Sequence, residues 1–265
     1  MAAAEVTFDS INADDTWALA ETNVGQMAFN YLNSQSINSI EAEITGDAFD
    51  FNPVVGDANA DVLSHSKYGD THRFISVIAK NWTYGAKDQW NTSLSGVVEF
   101  AQGGRFNYTY AGDINGDGSS LNDLIYIPTS SEVSQMTFVD PSQAADFEAF
   151  IQQDGYMSDH RGEYFERYGA LAPWRGTIDM KLIQELKIGK TNAIQFSADV
   201  LNLGNLLNSN WGLTQQPDAI QPIGVTVDAA DNPTYSFDGE IKETDVYDIS
   251  FASRWQVQFG MRYIF

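Results

Sequence analysis

A chain of 265 residues has room for one or two ordinary domains. Acids outnumber bases 36 to 14, for a net charge of −22, which makes the chain a poor candidate for nucleic acid, whose phosphates need a basic surface. Cysteine is absent, which removes disulfides, thiolate metal sites and cysteine nucleophiles together. No stretch approaches the roughly 20 apolar residues of a membrane-spanning helix, yet aromatics make up 13% of the chain. The start, Met-Ala-Ala-Ala-Glu5, has neither a basic nor an apolar leader segment. An exported chain of this kind is therefore expected to be a piece of something longer.

Residues 1–70 read as one strand and a long acidic loop; Thr16 to Leu32 has the length of either a helix or a strand. Residues 71–102 form a strand pair. His72 to Tyr84 places Phe74, Ile78, Trp82 and Tyr84 on one side, Gly85–Asp88 turns the chain, and Trp90 to Phe100 alternates Trp90, Leu94, Val98 and Phe100 with Asn91, Ser93, Ser95 and Glu99. Residues 103–174 are a long polar insertion with one short helix. Asp140 is its expected N-cap, Pro141 its first position, Ala144, Phe147, Phe150 and Ile151 its apolar stripe, and Gly155 its end. That stripe is expected to pack on its own loop.

Residues 175–208 are a second strand pair around Gly189–Thr191, with Ile178, Met180, Leu182 and Leu186 on one face and Gln184 interrupting it. Residues 209–250 form another acidic loop, with a hairpin turn expected at Asp228–Asn232, and residues 251–265 are the last strand. In Arg254–Phe265, Trp255, Val257, Phe259, Met261, Tyr263 and Phe265 alternate with Arg254, Gln256, Gln258, Gly260 and Arg262. Aromatics stand at both ends of that apolar face, like the girdles of a membrane barrel. Tight links alternate with long ones, as periplasmic turns alternate with external loops. The expectation is an all-β fold, an antiparallel transmembrane β-barrel segment. Its basic residues Lys181, Lys187, Arg254 and Arg262 are expected to face the lumen and pair with Asp179, Glu185 and Asp199.

Two resemblances sharpen this. Gln258, Gly260, Tyr263 and Phe265 resemble the C-terminal signal by which the barrel-assembly machinery recognises outer-membrane barrels. Tyr108–Pro128, Phe147–Asp154, His160–Glu163 with Arg167, Ala172–Trp174, Phe196–Asn208 with Trp211-Gly212, and the closing strand resemble the Oar-like TonB-dependent transporters, in order from about Asp50 onward. The resemblance implies the C-terminal part of a barrel of about 22 strands with a plugged lumen, in the outer membrane of a Gram-negative bacterium, taking up a nutrient. Its partners would be outer-membrane lipid and, in a longer chain, TonB and a plug domain; the plug is absent from these residues. Two alternatives stay open: a small passive porin, and a secreted soluble β-protein with calcium-bound loops.

Asp113, Asn115 and Asp117, followed by Gly118, begin like a calcium loop, with Asp123 one place before the usual final acidic ligand. Calcium is the cofactor this motif implies; the competing reading is a turn whose Asp and Asn side chains bond nearby amides. His65, His72 and His160 are scattered without metal spacing, and no pair among the 36 acids is singled out for catalysis. No enzymatic activity is expected.

Overall fold

A computed structural model describes residues 50–58, 60, 62–67 and 72–265, together with the backbone of three strands between residues 17 and 36. Seven strands form its main sheet: β1 (Trp17–Ala20), β2 (Asn23–Tyr31), β3 (His72–Tyr84), β4 (Trp90–Ala101), β5 (Arg175–Lys187), β6 (Ala193–Leu201) and β7 (Gln256–Ile264). They lie side by side in chain order, each antiparallel to the next. The sheet is open, with β1 and β7 at its edges. Residues 1–70 thus supply two of its strands where one is expected: Trp17–Ala20 and Asn23–Tyr31 are two antiparallel strands rather than a single element. The last strand starts at Gln256, because Phe251–Ser253 makes a turn of 3-10 helix capped by the Ser250 hydroxyl.

Register puts the predicted apolar sets on one face. Leu182 lies opposite Leu94 and Ala198, Met180 opposite Val200, Phe196 opposite Met261 and Ala198 opposite Phe259. Among the described residues nothing covers this face: Phe259 is 80% exposed, Met261 76% and Ile78 60%. Gln184, the polar interruption, meets Thr92, whose hydroxyl donates to it at 2.7 Å, and Tyr84 joins the pair. On the opposite face Lys181 contacts Asp199 at 2.8 Å, as expected, and Arg73 contacts Glu99 at 3.0 Å. Asp179 and Glu185 are taken differently: Asp179 accepts the Asn202 amide, and Glu185 accepts the Gln195 side chain.

Tight links at one end of the sheet join β3 to β4 and β5 to β6. The segments after β4 and β6 leave from the other end and fold together into a unit with its own core. This unit holds α1 (Ser130–Val133), α2 (Gln143–Gln153) and α3 (Gly155–Asp159), and short strand pairs such as Ile223–Val227 with Pro233–Phe237. Asp228 organises the turn between that pair by accepting the amides of Ala230 and Asn232.

Three helices therefore stand where one is expected, and the expected one is shorter. Asp140 bonds Ser142 in a turn ahead of α2, and Asp154 ends α2 while capping α3 through the Met157 amide, so Gly155 opens a helix. The stripe of α2 does bury Phe147, Phe150 and Ile151, and its contacts cross loops: Phe147 and Phe150 both pack on Phe237 at about 5.5 Å. Burying such rings contributes roughly 1.5–3 kcal/mol each, enough to make the two insertions one folded body.

Candidate functional site

The loop unit is closed by buried polar contacts between its two segments. Tyr108 donates to Asp154 at 3.0 Å and Thr244 donates to the same carboxylate at 2.8 Å, so one buried acid joins residues from both insertions. Burial pushes the Tyr108 hydroxyl far above the ordinary phenol range, and the Asp154 charge pushes it further. Burial also raises the Asp245 carboxyl, with Asp154 adding to the shift. On another side the segment around Val54 lies along Asn122–Leu124, its amide donating to the Asn122 carbonyl at 2.8 Å. Buried Arg167 holds the same segment by donating to Asn52 and to the Val62 carbonyl.

Asp113, Asn115, Asp117 and Asp123 lie around one turn, and in this structure their oxygens accept backbone and side-chain amides. Asp113 accepts the amides of Gly116, Asp117 and Gly118, at 2.7, 3.2 and 2.9 Å. Asp117 accepts the Ser119 amide and the side-chain amides of Asn115 and Asn122, and Asp123 accepts the Ile114 amide. Gly116 and Gly118 have φ of +76° and +97°, a left-handed conformation that favours glycine. Burial raises the Asp123 carboxyl, with bonds from backbone amides opposing and the Asp117 and Asp113 charges adding. Among the described residues no group of three or more His, Cys, Asp or Glu is disposed to hold a metal ion.

Beside this turn a cavity of about 410 Å³ opens between four separated stretches of chain. Tyr110, Tyr126, Tyr164 and Tyr235 wall it, with Asp123 and Glu132 as its carboxylates and Val54, Leu124 and Met136 among its apolar lining. Tyr126 and Tyr164 meet edge-to-face at 5.3 Å, and Tyr110 tilts on Tyr235 at 6.2 Å. Glu132 closes a capping box on α1: it takes the Thr129 amide and hydroxyl, both at 2.8 Å, and accepts the Tyr126 hydroxyl at 3.1 Å. The Thr129 amide and hydroxyl hold the Glu132 carboxyl below the usual carboxylate range. Sequence reading misses this site because its rings lie up to 125 positions apart, from Tyr110 to Tyr235. The one local signal is the Thr129-x-x-Glu132 spacing of the capping box.

Three residues of the C-terminal motif, Gln258, Gly260 and Tyr263, sit on β7, and Phe265 follows its end. Gly260 lies opposite Ser197, and a Cβ there would stand 2.6 Å from the Ser197 hydroxyl, which would have to rotate away. Gln258 is opposite Asp199, and Tyr263 stacks on Phe265 at 6.1 Å. The histidines stay apart: His65 faces Glu166 at 3.7 Å, His72 stacks on Trp174, and His160 stacks on Tyr156.

The fold defines a class: an all-β protein with a consecutive antiparallel meander, one bare apolar face, one charged face and a folded loop unit at one end. No helix is long and apolar enough to cross a membrane, which says nothing of crossing by strands. Over 134 residues, 44% of the chain, it is 29% identical to the TonB-dependent transporter Oar of Myxococcus xanthus. The chain spans about 12% of that relative's length. No family model matches the chain, and no solved structure matches it.

Proposed function

We propose that the chain forms part of the wall and external loops of an outer-membrane TonB-dependent transporter that takes up a nutrient. The observation that carries this reading is the bare face of the main sheet. Large apolar side chains on neighbouring strands, such as Phe100, Leu182, Phe196 and Phe259, stay exposed together on that face. Monomers in water rarely leave contiguous apolar patches beyond a few hundred Å², so this face calls for hydrocarbon around it. Trp255, Tyr263 and Phe265 at the two ends of the β7 face suit headgroup level.

The opposite face, with its Lys181–Asp199 and Arg73–Glu99 pairs, then lines a wet lumen. Open edges are not tolerated in lipid. In this reading further strands pair with β1 and β7 to close the barrel, and a plug and TonB act on that larger whole. The loop unit lies outside the membrane, where its folded core presents the cavity to the surroundings. The M. xanthus likeness supports the transporter class in particular. The test is fractionation of cells producing the full protein. Recovery in outer membranes, with a folded form whose gel mobility changes on heating, supports the reading; recovery in solution without detergent sinks it.

A further inference from the structure

The tyrosine-walled cavity carries charge of one sign. Its ionisable acids are Asp123 and Glu132, and among the described residues that line it none is Lys, Arg or His. An anionic ligand would meet repulsion there. A cation would meet attraction from the carboxylate field, and more from each lining tyrosine whose negative face it reaches within about 6 Å. A bare metal ion is a poor fit. Both Glu132 oxygens already accept bonds, from Tyr126 and from Thr129, so this carboxylate offers field rather than coordination.

We propose that this cavity binds an organic cation, an ammonium or guanidinium group with apolar surface attached. Its volume, about 410 Å³, is within the range of small-molecule sites and accepts such a head group with its nearest carbons. Tyr110 and Tyr235 form one aromatic wall, and Tyr126 and Tyr164 another. The capping box of α1 fixes the Glu132 charge in place, so the site is formed before the ligand arrives and loses little to ordering. This inference concerns the loop unit alone and does not depend on the main sheet lying in a membrane.

Titration calorimetry on the full chain in detergent tests it. Choline and Nα-acetyl-arginine amide are the two cationic probes, distinguishing a free quaternary ammonium from a basic peptide side chain. The control is 3,3-dimethylbutan-1-ol, which has the shape of choline without its charge. We expect at least one cation to bind about tenfold or more tightly than the alcohol. Glu132→Gln keeps the capping box, which accepts Glu or Gln, while removing the charge; Tyr164→Leu removes an exposed ring. Each should weaken the cation about tenfold, with circular dichroism unchanged. Equal binding of choline and the alcohol, no binding of either cation, or undiminished binding in a folded Glu132→Gln would overturn the proposal. Should a variant misfold, the wild-type comparison of cation with alcohol decides.

Discussion

Phe259 and Gln258 are neighbours on β7 with opposite surroundings. Phe259 is the fourth of nine residues in the strand, which at roughly 3.4 Å per residue is about 30 Å long, so it lies near the middle. It pairs with Ala198 on the apolar face, and it is 80% exposed. If that face meets lipid, Phe259→Arg puts a guanidinium near mid-bilayer at a cost of roughly 2–4 kcal/mol. That is about 30- to 1000-fold in the folding equilibrium. Gln258→Arg places the same group on the other face, opposite Asp199, and should change stability by less than about 1 kcal/mol. If instead the sheet stood in water, Phe259→Arg would be an ordinary surface change worth within about 0.5 kcal/mol. The assay is equilibrium urea unfolding of the full protein in phospholipid vesicles. Equal destabilisation by both variants, or none by Phe259→Arg, would refute the assignment of faces.

Three further perturbations follow from particular contacts. Because burial and the nearby Asp154 raise the Asp245 carboxyl, the folded loops keep its proton to a higher pH than the unfolded chain does. Stability is therefore lost as pH rises from the unfolded value, about 4, through the folded one. Asp245→Asn should flatten that slope in a pH series of loop hydrogen exchange, and an unchanged slope would contradict it. Gly260→Val crowds the Ser197 hydroxyl and alters the C-terminal motif, and it should lower the folded yield in outer membranes, as should deletion of Phe265 if the terminal motif is read in assembly; heat-modifiable yields equal to wild type in both would remove these roles. Asp113→Ala deprives the Gly116 and Gly118 amides of their acceptor, while the Asp117 amide keeps Asn115, and should raise protease nicking between Asp113 and Pro128, in calcium and in chelator alike. Calcium protection of the wild type that disappears in Asp117→Ala would show that the same four side chains also hold a cation.

The main sheet was legible because strand periodicity is a local signal. Alternation in Trp90–Phe100, Ile178–Ile188 and Ile194–Val200 gives the correct faces, and the register then sets Leu182 against Leu94 and Ala198. In sequence Gln184 reads as a lone defect, since Thr92 and Tyr84, which satisfy it, come from other strands. The loop unit was the opposite case. Its core joins Phe147 and Phe150 to Phe237 across some 90 residues, and no window of sequence shows such a pairing. Asp154 was hidden for a related reason: it ends one helix, caps the next and receives Tyr108 and Thr244, whereas the sequence offers only the adjacent Gly155 as a stop. The Asp113–Asp123 motif was found by its spacing, but spacing alone does not say whether amides or a cation take the oxygens.

The most direct measurement of whether β7 is a wall between lipid and water uses the absence of cysteine. Single cysteines placed one at a time at 256–262 would be the only thiols in these residues, and each can be probed with a membrane-impermeant reagent in isolated outer membranes. A barrel wall predicts alternation: cysteines replacing Val257, Phe259 and Met261 are protected, and those replacing Gln256, Gln258 and Arg262 react. Uniform reaction along the strand would contradict a lipid-facing β7 and with it the proposed membrane barrel.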